Sequence, residues 1–145
     1  MTRIALLAAA AALACTGPVG PFPDGHLAGH VATAPVTEWP FADARILELE
    51  TSPDDAYSVN VHFVAEGPQL WVATVLGDSS GWASRLLADG RVRVRAGREV
   101  WERRALRVTD AAEIARVEAL YREKYVLSPE ISDDDGTLVF RLEPR

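Results

Sequence analysis

Between the apolar run that ends at Leu76 and a helix-like stretch that starts near Trp82, the chain places Gly77-Asp78-Ser79-Ser80-Gly81. Glycine and serine there leave backbone N–H groups free, and a helix beginning at this point carries partial positive charge at its start, so the segment can hold an anion. Ser79 and Ser80 would donate to the oxygens of such an anion, and Arg85, one turn on, would add charge-assisted hydrogen bonds. The same residues also have a purely structural use, because Asp78 and the serines can cap a first helical turn. A second concentration of chemistry lies further on. Arg91, Arg93, Arg95, Arg98, Arg103, Arg104 and Arg107 crowd one stretch. They form either a basic face for an anionic ligand or a solvated hairpin face neutralised by Glu99 and Glu102, and charge alternating with valine favours the second reading.

The other candidates are weaker. His62 is of the right type for acid or base work, but no Ser/His/Asp arrangement frames it, so hydrolase chemistry has little support. Tyr57, Trp71 and Trp82 suit either the walls of a ring-binding cleft or a core. His26 and His30 stand four apart, which on a helix would turn both imidazoles to one metal; the glycines and prolines around them forbid that helix, and no metal site is expected. Asp133-Asp134-Asp135 lacks the alternating ligands of a calcium loop and reads as a solvated turn.

These residues need a scaffold. The chain has 145 residues, 48% of them hydrophobic, enough for one core, and its net charge of −6 argues against nucleic acid as a partner. Period-two alternation predicts strands at Ile46–Leu49, Tyr57–Phe63, Leu70–Leu76, Arg91–Arg95, Val100–Val108 and Leu138–Leu142. A short helix follows the third strand, with Trp82, Leu86 and Leu87 inward. A longer helix, opened by the capping pattern Thr109-Asp110…Glu113, buries Ile114, Val117, Leu120 and Tyr121. This is an α+β order: six mostly antiparallel strands over residues 41–145. Residues 16–40, rich in glycine and proline, read as a linker.

The first fifteen residues read as an address. Arg3, the apolar run Ile4–Ala14 and the small residues beside Cys15 have the layout of an export signal, too short to span a bilayer. Ala12-Leu13-Ala14-Cys15 resembles the lipobox of bacterial lipoproteins, although the large aliphatic stands two rather than three positions before the cysteine. The resemblance implies acylation of Cys15 and a lipid anchor in the cell envelope; the alternative is a plain secretory signal cut nearby.

The order of elements, together with Leu70-Trp71-Val72-Ala73-Thr74-Val75 and Leu87-Ala88-Asp89-Gly90-Arg91-Val92-Arg93-Val94, resembles the split β-barrel flavin and deazaflavin proteins. These include pyridoxamine 5'-phosphate oxidase-like proteins and deazaflavin-dependent nitroreductases. The resemblance implies a six-stranded split barrel and FMN or a deazaflavin as cofactor, held by Ser79, Ser80, Gly81, Trp82 and Arg85. It also implies a homodimer and a redox reaction on a small substrate. Where many oxidase-like members carry an Arg-Lys pair, this chain has Ser80-Gly81. The alternative is a surface-tethered module that binds a ligand or partner without catalysis.

Overall fold

Strand-forming segments with one apolar face must curl or pair to hide it. In the computed structural model, which describes residues 17–126 and 136–145 apart from the Asp78 side chain, they do so by curling. The strands are β1 (His30–Val31), β2 (Leu47–Thr51), β3 (Tyr57–Val61), β4 (Phe63–Glu66), β5 (Gln69–Thr74), β6 (Arg91–Ala96), β7 (Glu99–Arg107) and β8 (Leu138–Pro144). Two helices, α1 (Gly81–Ala88) and α2 (Ala111–Lys124), complete the α+β fold. The Cys15 and Asp133–Asp135 expectations lie outside the described residues.

The sheet runs β3-β2-β6-β7-β8-β5-β4, each neighbour antiparallel, with β1 added parallel to β7. Its two end strands, β3 and β4, are separated in the chain by His62 alone, so the sheet must close on itself around an unpaired seam. The strand count is therefore eight rather than six. Tyr57–Phe63, expected as one strand, is two: β3 pairs with β2 and β4 with β5, and His62 marks the exchange of partners. The eighth is β1.

The barrel interior is filled by Leu47 and Leu49 of β2, Phe63 of β4, Val92 and Val94 of β6, Trp101 of β7 and Phe140 of β8. A second layer lies between α2 and the outside of the sheet, where Ile114, Val117 and Tyr121 meet Val64, Trp71 and Val139. Strand β5 is thus covered on both sides, Leu70 and Val72 facing in and Trp71 facing α2, as its unbroken apolar run predicts. Asp110 caps α2 by accepting from the Glu113 N–H, as its sequence signature requires.

The segment expected as a linker is folded onto the barrel. Leu27 is fully buried and Trp39 is 2% exposed; Trp39 packs on Phe41 and Trp101 at ring distances of 4.9 and 5.6 Å, closing one end of the core. Prolines and glycines rule out a helix or a central strand there, not burial or the two-residue β1 at the sheet. Earlier in this strap, Asp24 exchanges both backbone hydrogen bonds with Ser58, and the Asn60 amide donates to the carbonyls of Pro18 and Gly20.

Candidate functional site

The predicted anion-binding residues sit where β5 turns into α1. Leu76 ends the strand, Gly77–Ser79 form one tight 3₁₀ turn, and Ser80 precedes the helix. Gly77 has φ +55°, and a Cβ on it would stand 2.8 Å from the Gly136 carbonyl oxygen, so this turn needs glycine. The turn uses two amides that the sequence left free: Ser79 N–H donates to the Leu76 carbonyl (3.1 Å) and Ser80 N–H to that of Gly77 (3.2 Å). Those of Gly81, Trp82 and Ala83, the first turn of α1, have no backbone acceptor among the described residues.

The serines do not cap the helix. Neither hydroxyl bonds the first-turn amides, and Ser80, only 5% exposed, makes no side-chain hydrogen bond among the described residues. The capping use of these serines is thereby set aside, that of the Asp78 side chain lies outside the described residues, and among the described residues the first-turn donors have no acceptor.

Tyr57 joins this group, as spacing alone did not require. Its hydroxyl lies 3.6 Å from where a Gly81 Cβ would stand, and the Arg85 guanidinium lies over its ring, 4.4 Å from the centroid. Arg85 Nη1 also donates to the Asp55 carbonyl at 3.4 Å and stands 3.9 Å from the exposed Asp55 carboxylate, a weak pairing in water. Trp82 is half-buried and meets Phe140 edge-on at 6.2 Å. Trp71 is elsewhere, donating its indole N–H to Glu113 under α2. On α1 the buried residues are Ala83 and Leu86; Leu87, expected to face inward, is exposed, as is Leu76 before the turn.

Clefts of about 610 and 380 Å³ are found among the described residues, and neither of these is lined by Ser79, Ser80, Gly81, Trp82 or Arg85. The mouth of α1 opens on the surface of this single chain. The smaller cleft holds Lys124, whose ammonium lies 3.5 Å from the Phe63 ring centre and donates to the Ala42 carbonyl; burial pulls its pKa down to about 8. His62, the candidate acid or base, is exposed at the seam and stacks on Tyr125 at 4.6 Å.

The arginine-rich hairpin is only in part the solvated face expected: Arg98, Arg104 and Arg107 are exposed. Arg93 and Arg103 are buried, and the partners are carboxylates of other segments rather than Glu99 and Glu102. Arg95 makes a two-point pair with Glu48 (2.6 and 2.8 Å), and Arg93 faces Glu50, which is 1% exposed. Arg91 binds Asp89 and Asp54, and the Arg91 hydrogen bonds pull the Asp89 carboxyl down to about 2. The strap covers this charged surface: Leu27 N–H donates to Glu50 at 2.5 Å, Arg93 donates to the Leu27 carbonyl, and His26 approaches both.

Several solved structures share this arrangement of elements. The heme storage protein HutZ from Vibrio cholerae matches with a TM-score of 0.57 at 18% identity, over 72% of this chain and 85% of that one. A Listeria innocua protein assigned as a pyridoxamine 5'-phosphate oxidase gives 0.55 at 14% identity, over 70% and 84%. A FAD-binding protein from Mesorhizobium loti gives 0.52 at 16% identity, over 72% and 84%.

The chain has their split β-barrel fold.

No protein-family model and no curated protein sequence matches it. In this split barrel the α1 entrance directly follows β5 of the wall, so the free amides are held on the barrel rather than on a loose loop.

Proposed function

We propose that this protein is an exported, lipid-anchored split-barrel protein that binds a phosphorylated flavin, FMN or a deazaflavin, at the entrance to α1. The observation that carries the reading is the set of donors there with no acceptor among the described residues: the Gly81, Trp82 and Ala83 amides and the hydroxyls of Ser79 and Ser80, with Tyr57 and Arg85 alongside. That set fits a phosphate, which accepts hydrogen bonds and favours the positive end of a helix. Likeness of fold to a FAD-binding protein and to a pyridoxamine 5'-phosphate oxidase supports the choice of a flavin.

A bound ring of this class supplies electron or hydride transfer, and the chain's part is to place it. Ser80 and the first-turn amides hold the phosphate; Tyr57 and the half-buried Trp82 offer faces for the ring. The mouth lies on an open surface with Leu76 and Leu87 exposed, which suits a homodimer that covers the ring from the second copy. Acylation at Cys15 would leave the barrel at a membrane surface, acting on a small diffusible substrate. Mass spectrometry of the mature N-terminus tests this: a diacylglyceryl cysteine supports the anchor, and an unmodified terminus beyond Cys15 removes it.

The binding reading is tested by titrating FMN, and separately a deazaflavin, with the purified protein and following cofactor fluorescence. Saturable binding that weakens at least about tenfold in the Ser80→Ala/Arg85→Ala variant is expected, since each charge-assisted bond lost is worth roughly 1.5–3 kcal/mol. Colourless protein with affinity for neither compound supports the non-catalytic tethered module instead.

A further inference from the structure

The larger cleft, about 610 Å³, lies between the strap at 31–36, the β4–β5 turn at Pro68 and the ends of β7 and β8. Its walls are mostly apolar, with Val31, Val36, Pro68 and Leu142 among them. Into it comes Arg103, which shares the inward face of β7 with Trp101 and Ala105 and is 6% exposed. Its guanidinium lies over the Trp39 ring at 4.7 Å. No carboxylate stands within ion-pair distance of it among the described residues, and its buried Nε has no hydrogen-bond acceptor. Burial alone shifts this group, lowering its pKa, as it would for a cation with no anion beside it.

The two carboxylates on the same cleft are already engaged. Glu102 is held by Arg145 at 3.1 Å and Glu143 by Arg141 at 2.8 Å. Among the described residues Arg103 is left on this cleft with no carboxylate to offset its charge. A buried guanidinium without a partner is costly, and a planar fork of N–H donors matches a carboxylate. We propose that Arg103 anchors a second binding site, separate from the α1 entrance, that takes a small organic carboxylate with an apolar body. The carboxylate meets the guanidinium and the body lies along Val31, Val36 and Leu142. The volume is that of an ordinary small-molecule pocket, roughly 300–1,000 Å³.

The Trp39 indole reports on this site, because its N–H donates to the Pro68 carbonyl (3.1 Å) on the cleft wall while its ring carries Arg103. Proton–nitrogen spectra are recorded as hexanoate, hexanamide or inorganic phosphate is added. The expected result is a saturable shift of the Trp39 indole signal with hexanoate, none with hexanamide at equal concentration, and at least about tenfold weaker binding of phosphate, which has the charge but no apolar body. Arg103→Met, which keeps the volume and removes the charge, weakens hexanoate at least about tenfold, and Arg103→Lys falls between. If Arg103→Met does not fold, Arg103→Lys decides. The proposal is overturned if hexanoate produces no saturable shift, if hexanamide or phosphate binds as well, or if the variant that folds binds hexanoate like the parent.

Discussion

Replacing Glu50 by alanine is expected to loosen the strap and destabilise the whole domain. Glu50 is 1% exposed; one oxygen accepts the Leu27 N–H at 2.5 Å and stands 3.4 Å from Arg93 Nη1, itself a buried residue. Removing one member of a buried ion pair costs about 3–5 kcal/mol, because the other charge stays buried without its partner. That figure already contains the stranded Leu27 amide, and it is a large share of the roughly 5–15 kcal/mol that holds a domain folded. The pair itself is imperfect: the other Glu50 oxygen and Arg93 Nε have no hydrogen-bond partner. Exchanging both residues for methionine removes the stranded charge but still leaves the buried Leu27 N–H without its acceptor, so the double variant is expected to lose only about 1–3 kcal/mol, less than Glu50→Ala. Urea unfolding followed by tryptophan fluorescence reads both numbers, with the slope checked for constancy. A loss below about 1 kcal/mol for Glu50→Ala, or a double variant as unstable as the single one, would refute the view that the strap is latched by charge.

Gly77→Ala, at φ +55° and with a backbone oxygen 2.8 Å from the new methyl, should destabilise by more than Gly97→Ala, where φ is +60° and the space is open. The left-handed conformation accounts for about 1–3 kcal/mol in either, so the difference in urea midpoints isolates the Gly136 contact. Asp110→Ala removes the α2 cap and should cost about 1 kcal/mol in the same assay. Lys124 should titrate near pH 8 in side-chain NMR. Because its folded pKa lies below its unfolded one, the unfolded chain holds more protons between about 8 and 10.5. Stability should therefore rise with pH across that window, and Lys124→Met should flatten the rise.

The alternation of buried and exposed residues made most strands legible, because each packs one face locally. The break at His62 was not, since Tyr57, Val59, Val61 and Phe63 keep their period through it. What changes there is the partner strand, which is a non-local property. Proline and glycine in 17–40 correctly excluded helices but said nothing about burial; Leu27, Trp39 and Phe41 were the overlooked apolar signals in and just beyond that stretch. The arginine hairpin looked solvated because Arg/Val alternation is also how an open edge is written. Its complement, Glu48 and Glu50 alternating with Leu47 and Leu49, becomes visible as such only once β2 is placed against β6. At the α1 entrance the sequence found the turn, its serines and, in Gly81 and Trp82, two of the three amides without a backbone acceptor, but not that the turn itself uses the Ser79 and Ser80 amides. Tyr57 reaches the site from another strand, which no local spacing encodes.

The flavin reading stands or falls on where the phosphate goes. Adding FMN to nitrogen-15-labelled protein should shift the amide signals of Gly81, Trp82 and Ala83 saturably while leaving those of the non-proline residues of 31–36, which line the large cleft, in place. Saturation of FMN with those three amides unmoved, or no saturation at all, would contradict it.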